Sequence, residues 1–369
     1  MRKILILAND ETTIFNFRLE LLSSLAVECF KLLVSFPRGQ KDLKTLTDIG
    51  CEFVDVQMQR KGKNPFSDFK LIIDYIKMLK RFKPDVVLTY TAKPNIYGGI
   101  ACRISRTPYL SNITGLGVMT DRGFTQRLML TMQRVALKSS FCVFFQNDYN
   151  LSFYRKTGVI TDNAELLPGS GVNLTLHRQE EYPPEGKTIR FITVSRLLRD
   201  KGYTELFDAI KALSPKHDNL EFHIVGWYEE DDYKKLVNEL SAKHMIVYHG
   251  SQPQERVHEL IKEADCLIHP SYHEGMSNVI LEAAACGRPC LCSDIPGCRE
   301  IVDDGSGGFT FEPKSSEGIA EAVERCAALD YQTRRSMGEA ARAKVEREFD
   351  RNIVIDAYLN KIYEIVGKG

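Results

Sequence analysis

Short apolar runs alternate with amphipathic stretches along almost the whole chain, and this alternation limits the possible folds more than any other feature. The β-branched runs suit buried strands, while the stretches between them have the spacing of helices. Strands and helices in alternation indicate parallel strands joined by crossover helices, as in doubly wound α/β sheets. The predicted strands cover residues 4–8, 32–36, 53–56, 86–90, 109–113 and 142–146, and then 191–194, 222–225, 246–248, 266–270 and 289–293.

A Pro- and Gly-rich segment at residues 166–187 separates the two halves of this pattern. A chain of 369 residues also exceeds what one hydrophobic core usually serves. We therefore predict two Rossmann-like domains, residues 1–170 and residues 171–351. Residues 342–365 are predicted as one long helix that can pack on either domain, and its end at about 352–369 is expected to pack back on the first. Its apolar stripe includes Ile353, Ile355, Tyr358, Ile362 and Ile365.

Charge is balanced overall but unevenly distributed. Residues 1–170 hold 24 Lys and Arg against 15 Asp and Glu, a net charge of +9, and the remaining residues carry the opposite excess. Scattered surface charge is the commoner explanation, and a first half that approaches an anionic surface or ligand is the alternative. No feature points to nucleic acid as a partner.

The ten cysteines lack the paired short spacing of a zinc site, which predicts buried, reduced thiols. Their tightest cluster would straddle a helix end, a strand and a loop, so we expect no metal there; it comprises Cys286, Cys290, Cys292 and Cys298. The chain begins directly with a predicted strand, and no apolar run reaches membrane-spanning length. We expect a cytoplasmic protein.

The segment HPSYHEGMSNVILEAAACGRP runs from a strand end through a glycine loop into a helix. Ser277 is predicted as the N-cap, which would leave backbone N–H groups at the helix start for a phosphate. Gly275 would let the loop approach the ligand closely. With the glycine that follows the strand at 222–225, the predicted donor-binding set is Gly226, Gly275, Met276, Ser277, Asn278, Val279 and Glu282.

Two carboxylates stand eight positions apart in this segment. Glu282 lies about 6–8 Å along the helix, at about 1.5 Å per residue, where it could accept hydrogen bonds from a ribose. Glu274 precedes the helix, where it could hold a sugar or steady positive charge on an anomeric carbon. Both could instead be ordinary solvated carboxylates, but Glu282 stands beside Leu281 and three alanines, which favours a ligand role.

A basic pair occurs in the segment SRLLRDKG, where Arg196 follows a predicted strand and Lys201 precedes a helix. Each charge-assisted contact to phosphate contributes about 1.5–3 kcal/mol, so both cations could stabilise a departing nucleoside diphosphate. Alone, an Arg and a Lys in a loop are usually surface charges. Together with the carboxylate segment they predict one site.

The SRLLRDKG and HEGMSNVILEAAACGRP segments resemble those of the retaining glycosyltransferases of family 4. The resemblance implies the GT-B architecture, in which two domains face a central cleft, with a UDP-sugar as donor and no metal or other cofactor. It also implies that Arg196 and Lys201 bind the diphosphate, Glu274 the donor sugar and Glu282 the ribose. The mechanism proposed for the family is a front-face displacement in which the donor phosphate helps to deprotonate the acceptor hydroxyl.

The first half carries FNFR, TYTAKPNIYGGIACRI and NITGLG, and it resembles bacterial N-acetylgalactosaminyltransferases that extend diphospho-undecaprenol-linked saccharides. The first domain is therefore expected to bind a lipid-linked acceptor. Two positions depart from the family pattern: residues 8–13 lack its glycines, and Thr114 stands near the position of a family histidine. Thr114 is kept as a catalytic candidate, and the acceptor-binding candidates are Asn9, Asp10, Thr13, Arg18, Lys93 and Asn95.

Two basic amphipathic stretches lie in the first half. The stretch at residues 68–83 is predicted as an ordinary sheet-covering helix. In the stretch at residues 122–134, Phe124, Leu128, Met129 and Met132 stand beside Arg122, Arg127 and Arg134. Such a surface could rest on anionic lipid, which predicts peripheral contact with the inner membrane face.

Other functions stay open. A sugar-nucleotide epimerase of the same architecture would need acid and base groups acting on the sugar ring. A non-catalytic nucleotide-sugar-binding partner of a membrane glycosyltransferase is suggested by Thr114 but disfavoured by the intact charged set. Dinucleotide oxidoreduction is disfavoured because no GxGxxG follows the first predicted strand.

Overall fold

The computed structural model describes residues 1–58, 65–115, 124–160 and 162–367. The chain forms two compact units. The first comprises Met1–Ser170 and Asn352–Gly369, and the second comprises Gly171–Arg351.

The first unit contains a seven-stranded sheet in which every neighbouring pair is parallel, with the order β3-β2-β1-β4-β5-β6-β7. Its strands are β1 (Lys3–Leu7), β2 (Lys31–Phe36), β3 (Cys51–Asp55), β4 (Val86–Tyr90), β5 (Tyr109–Ile113), β6 (Cys142–Phe145) and β7 (Ala164–Leu166). The central strands β1, β4 and β5 are buried almost throughout, because helices cover both faces.

The crossover segments of this unit are helical. They are α1 (Glu11–Phe15), α2 (Leu19–Val27), α3 (Lys44–Ile49), α4 (Pro65–Phe82), α5 (Gly99–Ser105), α6 (Phe124–Leu137) and α7 (Asp148–Lys156), with a π-helical turn at Pro94–Gly98 before α5. The α4 helix packs its buried side chains Leu71, Tyr75 and Leu79 on one face of the sheet.

The second unit contains a six-stranded parallel sheet with the order β10-β9-β8-β11-β12-β13. Its strands are β8 (Ile189–Val194), β9 (Leu220–Val225), β10 (Val247–Gly250), β11 (Cys266–His269), β12 (Cys290–Ser293) and β13 (Gly308–Phe311). Its helices are α8 (Tyr203–Leu213), α9 (Asp232–Ala242), α10 (Gln254–Glu263), α11 (Asn278–Ala285), α12 (Ser316–Ala328) and α13 (Tyr331–Glu348).

Both sheets have the strand order of a Rossmann fold, in which the direction of chain progression reverses beside the first strand. In the second unit this reversal falls between β8 and β11, which are hydrogen-bonded neighbours. Ligands of such sheets bind beyond the carboxyl ends of the strands at that point. The predicted doubly wound α/β fold class is confirmed.

The end of the chain differs from the single predicted helix. The α13 helix ends at Glu348, and α14 (Arg351–Val366) begins after a break. Asp350 leaves the helical path because it forms a β-bridge with Val172, and the N–H of Arg351 donates to the carbonyl of Val172. Buried α14 side chains then join the core of the first unit; they are Val354, Ile355, Tyr358 and Ile362. Ile353, predicted in the apolar stripe, is exposed.

Candidate functional site

Three side chains meet at the carboxyl ends of β8 and β11. Lys201 lies in the 3₁₀ turn Arg199–Lys201 after β8, and its Nζ forms an ion pair and hydrogen bond with Oε1 of Glu274, which follows β11. The Nε2 atom of His269, the last residue of β11, lies 2.9 Å from the same oxygen. Sequence reasoning predicted the first two residues at one site but missed His269.

The carboxylate of Glu274 is held ionised. Burial alone would raise its pKa, but the charge of Lys201 and the hydrogen bond with His269 outweigh burial and hold the pKa well below its ordinary range. His269 is itself buried, which lowers the pKa of its imidazole even though Glu274 acts in the opposite direction. The cluster therefore presents an ionised carboxylate between an ammonium and a neutral imidazole.

Gly202 makes this approach of the two loops possible. Its φ is +72°, in the left-handed region, and a Cβ atom there would lie 2.0 Å from the carbonyl oxygen of Pro270. The turn that carries Lys201 thus lies directly against the end of β11, and only a glycine fits.

The start of α11 lies on the same loop as Glu274. Ser277 occupies the N-cap, but its side chain makes no capping hydrogen bond, and its buried Oγ has no hydrogen-bond partner among the described residues. Its N–H donates to the carbonyl of Gly297, at 2.9 Å, which differs from the prediction that this group faces a ligand. The half-buried Asn278 and Val279 form the first turn of α11, where backbone N–H groups have no partner inside the helix.

Other donor-site candidates lie nearby in the sequence. Gly275 is half-buried, whereas Met276 is buried in the apolar cluster beneath α11. Glu282 lies on α11 itself, and burial raises its pKa to about 7, against the opposing charge of Arg351 and a hydrogen bond with Gln254. This carboxyl therefore changes its charge near neutral pH.

Arg196 and Gly226 follow β8 and β9. The Nη1 atom of Arg196 lies 3.4 Å from Oε2 of Glu229, so the guanidinium contacts a carboxylate other than Glu274. Gly226 has a φ of +149°, and a Cβ atom there would lie 1.8 Å from the carbonyl oxygen of Ser195. A close approach of backbone segments explains this glycine, and its predicted contact with a nucleobase stays a prediction.

In the first unit, Asn9 and Asp10 follow β1 and open α1. The carboxylate of Asp10 accepts hydrogen bonds from the N–H and the Oγ1 of Thr13, at 2.8 and 3.0 Å, and so caps the helix. The Oγ1 of Thr13 also lies 3.4 Å from Oδ1 of Asn9. All three residues are half-buried, and their roles in acceptor binding stay predictions.

The remaining acceptor candidates differ in their surroundings. Arg18 is buried, with its guanidinium 4.5 Å from the centre of the Tyr90 ring. Asn95 is buried too, and its amide bonds internally to Thr89 and to the carbonyl of Asn112.

Lys93 pairs with Asp68 at 2.8 Å, and Thr114 is exposed just after β5. Arg18 and Asn95 are buried in internal contacts, which explains both residues structurally. Lys93 and Thr114 are therefore more accessible to an acceptor than these two.

The two amphipathic stretches differ in what they expose. The α4 helix covers the sheet, as predicted, but its outer side carries exposed apolar residues, and the membrane contact predicted for residues 122–134 stays a prediction. On α4, Phe66, Phe69 and Ile73 are 86%, 65% and 36% exposed, and the exposed Lys70 and Lys77 lie along the same stripe.

On α6, Met129 and Met132 pack against the core, and Arg134 donates hydrogen bonds to the carbonyls of Thr157 and Gly158. Among the described side chains of this helix, Leu128 and Val135 are exposed apolar residues. Arg122 and the side chain of Phe124 lie outside the described residues. Within the described ranges, no helix combines the length and apolar character needed to cross a bilayer.

Two family models match the chain, one in each half. Residues 3–147 match the family described as glycosyl transferase 4-like, and residues 177–344 match glycosyl transferases group 1. The second match includes Arg196, Lys201, Glu274 and Glu282.

Two relatives are glycosyltransferases by name. The chain is 25% identical, over 98% of both chains, to the N,N'-diacetylbacillosaminyl-diphospho-undecaprenol alpha-1,3-N-acetylgalactosaminyltransferase of Campylobacter jejuni. It is also 25% identical, over 85% of both chains, to a capsular polysaccharide biosynthesis glycosyltransferase of Staphylococcus aureus.

Among solved structures, a glycosyltransferase from Rickettsia africae matches with a TM-score of 0.83 and 18% identity, covering 100% of this chain and 99% of the other. An Anabaena protein in complex with UDP and glucose matches with a TM-score of 0.79 and 18% identity, covering 99% and 100%. These likenesses support the fold.

Proposed function

Because this chain is a glycosyltransferase with the GT-B fold and belongs among the family 4-like enzymes of polysaccharide biosynthesis, we propose that it transfers a hexose or N-acetylhexosamine from a UDP-sugar to a polyprenyl-diphosphate-linked saccharide, with retention of anomeric configuration. The transfer needs no metal ion or other cofactor in this proposal. The second unit binds the donor, and the first binds the acceptor.

The observation that carries the donor assignment is the meeting of Lys201, Glu274 and His269 beside the start of α11. The free N–H groups at the start of the helix and the ammonium of Lys201 suit the two phosphates of a nucleoside diphosphate. Arg196 exchanges its contact with Glu229 for a phosphate oxygen in this proposal. The Oγ of Ser277, which lacks a partner among the described residues, is a further hydrogen-bond donor for the same group.

Glu274 and Glu282 bind the two sugars of the donor. The carboxylate of Glu274 accepts hydrogen bonds from hydroxyls of the transferred sugar, and its charge stabilises the positive charge that develops at the anomeric carbon. The carboxylate of Glu282 accepts hydrogen bonds from the ribose. Lys201 contacts Glu274, and in this proposal its ammonium also reaches an oxygen of the diphosphate.

In the transfer step, the bond between the anomeric carbon and the β-phosphate oxygen breaks, and the electron pair leaves with UDP. The acceptor hydroxyl oxygen forms the new bond from the same face of the sugar. Its proton passes to an oxygen of the departing phosphate, which needs no protein base at Thr114. Lys201 and Arg196 lower the barrier by stabilising the charge gained by UDP.

We also propose that the first unit contacts the inner face of the membrane, where a lipid-linked acceptor would be found, and that the contact is made by α4. Its exposed aromatic stripe suits the apolar part of the interface, and its lysines suit anionic headgroups. The +9 net charge of residues 1–170 favours the same orientation.

The test is incubation of the full chain with labelled UDP-sugars and short-chain diphospho-polyprenol saccharides. We expect a lipid-extractable product whose new linkage keeps the anomeric configuration of the donor. Glu274→Gln should lower turnover at least about 100-fold, the scale of losing a charge that acts in the transition state. The matched control Glu317→Gln changes an exposed carboxylate of the same unit. A free epimer of the sugar, or binding without turnover, would support the competing functions instead.

A further inference from the structure

The second unit contains a cluster of two histidines and a cysteine that the proposed transfer does not use. His177 lies near the start of this unit, which begins at Gly171. His258 lies on α10, and Cys286 is the residue after α11. One nitrogen or sulfur atom from each side chain lies within 4.8 Å of the other two. His177 and Cys286 are buried and His258 is half-buried. We propose that these three residues bind a Zn²⁺ ion that stabilises the second unit, with a water molecule as the fourth ligand.

The separations suit this ion. The Sγ atom of Cys286 lies 3.6 Å from Nδ1 of His258. Tetrahedral zinc with Zn–S of about 2.3 Å and Zn–N of about 2.0–2.1 Å places neighbouring ligand atoms about 3.3–3.6 Å apart. The Cys286–His258 pair already has that spacing, and the ring of His177 packs edge-on against that of His258, with 5.5 Å between ring centres. A small side-chain adjustment brings the third ligand to the same ion.

The histidine on α10 is oriented as metal ligands usually are. Its Nε2 atom lies 3.4 Å from Oε1 of Glu180, while Nδ1 faces the cysteine. A carboxylate that accepts a hydrogen bond from Nε2–H keeps the proton on that nitrogen and leaves the lone pair on Nδ1 for a metal. Glu180 is also paired with Arg178 and Lys262, which keep it ionised as an acceptor. The thiolate of Cys286 offsets one of the two charges of the ion.

The backbone around the cluster is fixed by two buried arginines. Arg342 donates a hydrogen bond to the carbonyl of His177, at 2.8 Å, and another to the carbonyl of Ala285. Arg288 donates to the carbonyl of Cys286, at 3.0 Å. Since these bonds hold two of the three ligand residues in position, the ion would enter a largely preformed site.

Such an ion would join α10 to α11 beside the donor site. Gln254 lies one turn before His258 on α10, Glu282 lies one turn before Cys286 on α11, and the side chains of Gln254 and Glu282 are hydrogen-bonded. A metal clamp would keep this neighbouring pair in register. That consequence rests on the proposed ribose contact, but the metal site itself does not.

The test measures metal and not glycosyl transfer. The full chain is purified in a reducing buffer, treated with a chelator, and titrated with Zn²⁺ and with Co²⁺. We expect one equivalent of tightly bound zinc, and a cobalt spectrum with tetrahedral bands and a sulfur-to-cobalt charge-transfer band. Cys286→Ser should remove the charge-transfer band, and His258→Ala should remove tight binding. Glu180→Gln should weaken affinity about 10- to 100-fold.

The matched control is His223→Ala, which alters another pair of neighbouring imidazoles in the same unit, at 3.0 Å from His249. It should bind zinc as the parent chain does. Zinc should raise the melting temperature of the parent chain and of His223→Ala, but not that of His258→Gln. The His258→Gln variant also replaces His258→Ala in the binding measurements if His258→Ala fails to fold. Absence of stoichiometric binding by the parent chain, or unchanged affinity in Cys286→Ser and His258→Gln, would show that the cluster is only a thiol–imidazole hydrogen bond and would overturn the proposal.

Discussion

The Nε2 atom of His269 lies 2.9 Å from Oε1 of Glu274, and both side chains are largely withdrawn from solvent. An ionised carboxylate can only accept hydrogen bonds, so Nε2 carries the proton and the Nε2–H group donates the hydrogen bond. The other ring nitrogen, Nδ1, is buried and has no hydrogen-bond partner among the described residues. A second proton there would be buried without an acceptor, which is why the neutral Nε2–H form is stable. His269 thus orients Glu274 without adding a charge.

This relationship predicts different outcomes for two substitutions at His269. The amide nitrogen of His269→Gln can still donate to Glu274, whereas His269→Leu has no donor. Loss of a hydrogen bond to a charged group costs about 1.5–3 kcal/mol, so His269→Leu should lower kcat about 10- to 100-fold with a smaller change in KM for the donor. His269→Gln should recover most of that loss. Steady-state kinetics beside thermal unfolding would check this, and equal activity of both variants would contradict it.

The depressed pKa of Glu274 predicts a contribution to acid stability. Burial opposes the shift, and Lys201 and His269 produce it, so the folded chain binds this proton less readily than the unfolded chain. The stabilisation is complete above the unfolded pKa of about 4.5 and is lost as pH falls through the folded value. Between pH 7 and pH 3, Glu274→Gln should therefore lose less unfolding free energy than the parent chain. Urea titrations at each pH would measure it, and parallel curves for the two proteins would refute it.

Much of the fold follows from local pattern. The strands of both sheets alternate with helices at short range, so the doubly wound class and most strand positions could be predicted. Three features of the fold could not be predicted from local pattern. The short strands β7 and β13 lack an extended apolar run, and the break at Phe349 and Asp350 depends on a bridge to Val172, which is remote in sequence.

The site shows the same limit. Lys201 and Glu274 follow strands, and Glu282 lies one turn into the helix after Glu274, so the approximate positions of all three could be predicted. His269 could not be distinguished from a core residue, because its role depends on a carboxylate brought back by the following loop. The burial of Arg18 and Asn95 likewise depends on tertiary packing. The only sequence signal for His269 was a polar residue that ends a buried strand five positions before Glu274.

The raised pKa of Glu282 predicts a pH dependence of donor binding. Burial raises this pKa to about 7, so the carboxyl is half-protonated at neutral pH and accepts hydrogen bonds best when ionised. The KM for the UDP-sugar should fall as pH rises from 6 to 8, and Glu282→Gln should show a higher KM that varies less with pH. Initial rates at several donor concentrations across this range would test it.

The same carboxyl has the opposite effect on the free protein. Because the folded pKa lies above the unfolded value, stability falls as pH rises from about 4.5 through 7. Without donor, Glu282→Gln should therefore be more stable than the parent chain at pH 8, by on the order of 1–3 kcal/mol. A variant that is destabilised at pH 8 would show that Glu282 is stabilised by contacts in the free protein.

The exposed stripe of α4 predicts where the first unit touches lipid. Burial of one phenylalanine contributes about 1.5–3 kcal/mol, so the double variant Phe66→Ser, Phe69→Ser should bind vesicles containing phosphatidylglycerol at least about tenfold more weakly. Binding by the parent chain should also weaken with added salt, because the lysines of the stripe act electrostatically.

Leu128→Ser on α6 is the matched control and should leave vesicle binding unchanged. Transfer to a short, water-soluble acceptor should be unaffected in both variants, since neither alters the donor site. If Leu128→Ser weakens vesicle binding and the phenylalanine variant does not, α6 is the contact surface. If the parent chain binds anionic and neutral vesicles equally well, the proposed membrane contact is wrong.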